Sequence, residues 1–570
     1  MKQPNAKRAE PVRSDWRALL AIIGVALCVS LPGLANNFAQ DDLHLILGNE
    51  RVHGLGDWRL LLSTPFWPPP FSQDLYRPLT SLLLAFEYEL GVGAPIVYRL
   101  ASCFLLAAVA VQFYALAKRL LPRGIALAAA LLFAAHPVHV EATALAVGQS
   151  ELVVGLIALL MATRYLDRRR AGLLSRRDWV VLGALYATAC LVKEQGFVLP
   201  ALLVCIEMFF VSGPVAARVR ALAPGYAALT VLLGLLLAVR RSVLGGELAG
   251  TFTAEALVGL GVGGRALTML RVVPEWARLL AWPAHLQADY SPQELVGSTG
   301  FGLLEGLGLA LLVAALAAAW ACRRRASIVT FGVAWCAVTL LPVSNVLLPT
   351  GILLAERTLL LPSVGFVLIV TGAVDWWMRR ADASGGQSRN LAIACGVLVV
   401  LGVARSAVRQ QAWSSEPVFA IRSVQDAPRS FRSHRGLGDL LFDLGRPQPA
   451  LEEYEKAIAL SPPSLAWRVR NDLAQRLRMT GDRAREADEL RKSLASNPTQ
   501  RDTRGYLVAA LLVLGQYSDA SRQCDTALAR GVAPDLFRQL RATADSAARV
   551  GAPPGSIDMG IVSGLTKPSR

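Results

Sequence analysis

For its first 410 residues the chain alternates between long apolar runs and short polar breaks rich in Arg, and then it changes character. The apolar runs are about 16–22 residues long, near the roughly 20 that an α-helix needs to cross hydrocarbon. Eleven spans are predicted, at 16–34, 97–117, 122–136, 145–165, 178–192, 197–212, 221–239, 300–320, 327–343, 358–377 and 390–407. One further apolar stretch, "YRPLTSLLLAFEYELG", is interrupted by Glu87 and Glu89. It is predicted to lie along the membrane rather than through it.

Beyond residue 430 the pattern is that of short amphipathic helices in pairs. Gly445, Gly481 and Gly515 recur at spacings of 36 and 34 residues. Pro462 and Pro498 each follow their glycine by 17, and Ala450 and Ala520 each follow by five, with Ala487 slipped by one. A period near 34 with these offsets predicts about three tetratricopeptide repeats, near the minimum for a stable stack. Their concave face suits an extended peptide or a protein partner; a rigid oligomerisation stalk is the plainer alternative. The fold class is therefore all-α: a cytosolic basic N-terminus (1–15), a polytopic membrane domain (16–410), a linker (411–429), a repeat α-solenoid (430–550) and a flexible tail (551–570).

Composition agrees: 54% of residues are hydrophobic and the mean hydropathy is +0.43, too apolar for an ordinary soluble enzyme. The net charge of +16 would suit nucleic acid if it were gathered on one surface. Instead the Arg and Lys sit in short segments between apolar runs, where the positive-inside rule accounts for them. With the N-terminus inside, the inner segments carry 22 Arg and Lys and the longer outer segments before residue 400 carry 11. Treating "YRPLT…" as a span would invert this count. The expected location is a membrane crossed many times, with the repeats on the extracytoplasmic side. Of the eight cysteines, seven lie in or beside apolar runs and none forms CxxC, so they read as small buried hydrophobes. The first run shows no clear small-x-small cleavage site and reads as a retained span.

This topology places the unusual residues on one side. "QDD" (40–42), "YRP" (76–78), "HPVHVEA" (136–142), "KEQG" (193–196), "HLQADYS" (285–291), "LPVSN" (341–345) and "AERTLLLPS" (355–363) all fall at outer ends of spans. Ionisable groups at membrane depth are costly and usually functional. No GxxxxGK[ST] and no GxGxxG opening a βαβ unit is present. Outer-face chemistry would then draw on a preactivated, membrane-borne donor such as a sugar on a polyprenyl phosphate. Asp41 and Asp42 are the candidate base for an acceptor hydroxyl. Arg77, Lys193, Arg240, Arg241 and Arg357 are candidates for stabilising the departing phosphate. The bland reading of the acidic pair is a helix cap on "LHLILGN", or a metal-bound pair. His136, His139 and Glu141 invite a zinc reading, but Pro137 intervenes and the spacing is not HExxH. They read better as a polar network or as phosphate and sugar contacts. No cofactor or metal set is indicated.

Taken in order, "NNFAQDD", "YRPLTSL", "HPVHVEA", "KEQG", "WPAHLQADYS", "LPVSN" and "AERTLLLPSVGF", followed by the repeats, resemble the transmembrane and tetratricopeptide-repeat-containing O-mannosyltransferases over about 35–550. That resemblance implies the GT-C fold of lipid-sugar-dependent glycosyltransferases and inverting transfer of a hexose, usually mannose, from polyprenyl phosphate to protein Ser or Thr. It assigns the base to Asp41 or Asp42, with Asp41 favoured. Donor contacts fall to Arg77, His136, His139, Glu141, Lys193, Glu194, Arg240, Asp289, Glu356 and Arg357. Gln149 and Leu360 depart from the family's usual Arg and Tyr and leave the sugar and acceptor open. A non-catalytic membrane scaffold, or a glycan ligase or polymerase with a non-protein acceptor, are the alternatives.

Overall fold

The computed structural model describes residues 15–71, 73–246, 253–381 and 385–557. The basic N-terminal segment up to residue 14 and the tail from 558 lie outside the described residues. Among those described, every regular element is a helix.

Seven helices are long and apolar enough to cross a membrane: Trp16–Gly33, Pro95–Leu120, Gln149–Ala171, Val215–Val243, Leu303–Cys322, Glu356–Arg380 and Gly385–Trp413. The chain is a multi-pass membrane protein. An eighth crossing forms if Arg123–Ala134 and Pro137–Ala144 count as one span bent by 47°. The bend falls at Pro137, which cannot donate the helical N–H and crowds the preceding turn. The other three expected spans are helices, but short ones: Arg176–Val192, Leu199–Phe210 and Ser327–Leu340. The first two are separated by a 3₁₀ turn at Glu194–Val198, where charged residues break the apolar run. The expected surface helix is Pro78–Gly91, too short to span.

Burial orders the bundle. Gln149–Ala171 is 78% buried within the protein, while Leu303–Cys322 and Gly385–Trp413 are 11% buried and turn Leu and Val outward. The centre is thus Gln149–Ala171, flanked by Pro95–Leu120 and Glu356–Arg380. Ser327–Leu340 approaches Leu360–Arg380 closely because Gly332 and Gly365 face each other; a Cβ on either would lie 2.6 Å from the other's carbonyl oxygen. Such small-residue contacts let apolar helices pack without a hydrophobic driving force between them.

The C-terminal region consists of helical hairpins. Phe431–Asp443 pairs with Pro447–Leu460, Ala466–Thr480 with Arg483–Ser496, and Arg501–Val513 with Tyr517–Ala529; Pro534–Val550 follows. Gly445, Gly481 and Gly515 end the first helix of each pair with φ of 68°, 84° and 73°. Only glycine takes that left-handed conformation without cost. Ala450, Ala487 and Ala520 are fully buried in the second helices, where a larger side chain would hold the pair apart.

The stretch 411–429, expected to link the two regions, forms a 3₁₀ turn, Gln411–Trp413, and a helix, Glu416–Asp426. Trp413 is buried in one apolar cluster with Phe38, Leu45 and Ile46 of the first loop, and Phe419 packs against it.

Candidate active site

The first loop leaves the span Trp16–Gly33 and turns at 41–42 into a single π turn, Leu43–Leu47. Successive residues of a helical turn diverge by about 100°, so the two neighbouring acids face different surroundings. Asp42 is completely buried. Its Oδ2 accepts the Ala146 N–H at 2.9 Å and its Oδ1 the Val147 N–H at 3.1 Å. Both terminal nitrogens of Arg99 lie 3.4 Å from Oδ2. Burial raises the Asp42 carboxyl, and Arg99 with the two amides opposes that. The side chain caps nothing in its own turn, so the capping reading is replaced: Asp42 fastens the first loop to the loop 145–148. Asp41 remains partly exposed, 3.6 Å from Nη2 of Arg357, its nearest charged partner.

Arg357 is held from the other side by Glu141. Glu141 accepts the Arg357 backbone N–H through Oε2 and its Nη1 through Oε1, both at 2.8 Å. This ties the bent element Pro137–Ala144 to the start of Glu356–Arg380. Lys193 donates to Glu151 at 2.5 Å, and the fields of Arg77 and Arg357 both reach it. Glu194 receives Arg77 at 2.7 Å and Arg240 at 2.9 Å. Burial alone would raise the Glu194 carboxyl, but the two guanidinium groups hold it down to about 2. Asp41, Arg77, Glu141, Lys193, Glu194, Arg240 and Arg357 thus gather into one cluster. In it the cations are matched by carboxylates, and Asp41, Glu194, Arg77 and Arg357 form the partly open side.

The remaining candidates are placed differently. His136 donates through Nε2 to the Leu280 carbonyl at 2.9 Å and accepts the Val138 N–H through Nδ1. Buried His139 donates through Nε2 to Ser363 Oγ at 2.9 Å. These rings serve packing between elements. Glu356 is fully buried and accepts the Gln287 N–H at 2.5 Å and the Tyr290 hydroxyl at 3.0 Å. Asp289 faces the C-terminal region, accepting the Ser430 hydroxyl at 2.5 Å, with Arg432 3.9 Å away. Glu356 thus anchors the loop 283–297, and Asp289, a member of that loop, ties it to the C-terminal region; neither pairs within the cluster around Asp41. Arg241 is exposed. Sequence reasoning did not name Arg99, Glu151 or Tyr290. Glu151 carried a signal, an acid at the head of an apolar run, and Tyr290 lay within the singled-out stretch 285–291; Arg99 carried none.

A multispanning helical protein with a charged, partly open cluster where several spans end is the class that fold and site define. A family model, "Dolichyl-phosphate-mannose-protein mannosyltransferase", matches residues 76–241, which include Arg77, Glu141, Lys193, Glu194 and Arg240. A protein O-mannosyl-transferase of Caenorhabditis elegans is 26% identical over 460 residues, 78% of this chain and 63% of its own. The Mus musculus protein O-mannosyl-transferase TMTC3 is 26% identical over 484 residues, 79% of this chain and 52% of its own. A Drosophila melanogaster protein O-mannosyl-transferase, Tmtc2, is 36% identical over a shorter stretch of 193 residues, 32% of this chain. No solved structure matches. The chain is thus similar to the TMTC-type protein O-mannosyl-transferases, and it spans from about half to just under two thirds of the length of the first two.

Proposed function

We propose that the protein is a membrane glycosyltransferase that moves a hexose, mannose foremost, from a polyprenyl-phosphate donor to a hydroxyl acceptor, a protein Ser or Thr, on the outer face of the membrane. The observation that carries this reading is the division of the acidic pair. Asp42 is consumed by Arg99 and two backbone amides, which leaves Asp41 as the partly open carboxylate beside Arg357. Asp41 takes the proton of the acceptor hydroxyl while that oxygen bonds to the anomeric carbon. The bond from that carbon to the phosphate oxygen breaks on the opposite face, so the configuration inverts and the polyprenyl phosphate leaves with the electron pair. Arg357, Lys193, Arg77 and Arg240 supply positive charge for the phosphate. The 22 to 11 split of basic residues supports the outward orientation of this face and of the hairpins. We read those hairpins as tetratricopeptide repeats that present acceptor protein.

The test is transfer of labelled mannose from polyprenyl phosphate to Ser/Thr peptides by purified protein in lipid. Asp41→Asn should lower turnover by roughly 10²–10⁴-fold with donor saturating and the melting temperature unchanged. Near-normal transfer by that variant would remove Asp41 from the chemistry. The matched charges around Lys193 and Glu194 favour a scaffold as the second reading. That reading requires no transfer by the parent protein with any lipid-linked hexose. Labelling of a cysteine placed near residue 500 only after permeabilisation would overturn the orientation.

A further inference from the structure

The segment between the last span and the hairpins reaches back to the acidic loop. Glu416, in the first turn of Glu416–Asp426, accepts the backbone N–H of Gln40 through Oε2 at 2.7 Å, across 376 residues of chain. Gln40 immediately precedes Asp41 and has φ of 52°, a left-handed conformation uncommon for a residue with a Cβ. Such a conformation persists where surrounding contacts impose it. Here several do. The Asn37 N–H donates to the Ser414 carbonyl at 2.9 Å, and the Asn36 amide to the Gln410 carbonyl at 2.9 Å. Phe38 shares an apolar cluster with Trp413, whose ring lies 4.8 Å from that of Phe419. The Arg99 guanidinium that holds Asp42 also donates to the Asn37 carbonyl at 2.7 Å.

The direction of a side chain is set by the backbone that precedes it. Asp42 is locked on one side of Asp41, and Gln40 is fixed on the other by a single carboxylate from a distant element. We propose that Glu416 is a positioning residue: by holding Gln40 in its left-handed conformation it aims the Asp41 carboxylate at the acceptor hydroxyl. This rests on Asp41 being the base. Glu416 touches neither the reacting atoms nor Asp41, so its effect falls on turnover and not on donor binding, which depends on the cations across the cluster. Displacement of a catalytic group by about 1 Å is enough to cost on the order of 10²-fold.

The experiment compares Glu416→Gln, Glu416→Ala and Gln40→Gly in purified protein, with Asp41→Asn alongside. The Gln variant keeps an oxygen acceptor for the Gln40 N–H and should turn over within about 3-fold of the parent. The Ala variant leaves that N–H without its partner, so kcat should fall by about 10–100-fold with the donor KM unchanged. Because glycine adopts positive φ freely, adding Gln40→Gly to Glu416→Ala should recover part of the loss. Should the Ala variant not be recovered folded, Glu416→Asp, one methylene shorter, takes its place with the same expected kcat loss and rescue. Undiminished kcat in the Ala variant while Asp41→Asn is inactive would overturn the positioning role alone. A loss that follows melting temperature across the series, with no rescue by glycine, would also overturn it. An active Asp41→Asn would overturn the base assignment and this role with it.

Discussion

Asp42→Asn separates the two acids most directly. Asp42 is fully buried and offers its oxygens to three donors: the Ala146 N–H, the Val147 N–H and the Arg99 guanidinium. Asn retains one acceptor oxygen and turns an NH₂ group toward a donor that needs an acceptor. It also leaves Arg99, itself only 2% exposed, without its counter-charge. Removing one partner of a buried pair typically costs about 3–5 kcal/mol. The contact is long, at 3.4 Å, and Arg99 keeps the Asn37 carbonyl, so about 3 kcal/mol is expected. Against a total stability of about 5–15 kcal/mol that is a large share. Asp41→Asn removes only a partly exposed contact of 3.6 Å and should cost little. Thermal melting of both variants in the same detergent, with size exclusion to score aggregation, reads the difference. Removing both charges as Asp42→Asn with Arg99→Met should recover part of the loss. A variant Asp42→Asn that melts with the parent and yet transfers no sugar would refute the division and make Asp42 the base.

Other outcomes follow from the same contacts. Glu87 is buried beside Gln149, and burial, only partly opposed by that contact, pushes its carboxyl up to about 8 from 4.5. The fold binds the extra proton, so this group's contribution is full below about pH 4.5, declines by up to about 1.4 kcal/mol per unit, and is lost as pH rises through about 8. Glu87→Gln should therefore flatten the fall in melting temperature over that window and melt above the parent at high pH; a lower value there would contradict the assignment. Gly148 adjoins the amides that hold Asp42, and a Cβ there would meet the Ala142 carbonyl oxygen at 2.7 Å. Gly148→Ala should cost about 1–3 kcal/mol by melting, and an unchanged melt would show that the loop adapts. Arg357→Lys keeps the charge but not the fork that spans Glu141 and Asp41. Its donor KM should rise with little loss of stability; an unchanged KM would place the phosphate elsewhere.

The helices were legible because long apolar runs admit few alternatives, and the hairpins because glycine, alanine and proline recur at fixed offsets. What was not legible is where runs stop being spans. The break at 193–196 was predicted, but the helices on its two sides, of 17 and 12 residues, are shorter than a full crossing, and Lys193 and Glu194 are drawn to partners in the cluster. The gathering of charged residues at one end of the spans was readable from topology, but the pairings among them were not. Glu141 and Arg357 are 216 residues apart, Lys193 and Glu151 are 42 apart, and no local pattern announces either. Asp289 and Glu356 show the limit of reasoning by face: both lie at the expected end of the bundle, yet Asp289 belongs to, and Glu356 anchors, a loop that reaches the C-terminal region. The stretch 411–429 read as a linker because it is short and polar, and its partner lies near the other end of the chain.

Adjacent carboxylates at the exit of a span repel each other. The fold resolves this by separating their tasks through helical geometry. The roughly 100° between successive residues turns Asp42 into a pocket of donors and leaves Asp41 at the opening. The arrangement fixes three points around Asp41: Asp42 on Arg99 and the loop 145–148, Gln40 on Glu416, and Arg357 on Glu141. Those anchors come from four separate parts of the chain, so the direction of one carboxylate depends on the whole bundle being closed. Side chains held this way lose little freedom when substrate arrives, which is the condition under which a base acts efficiently. The same logic accounts for the matched charges across the cluster. Cations at membrane depth cannot be left bare, and Glu141, Glu151 and Glu194 hold them in place; under the proposed function a donor phosphate would share them.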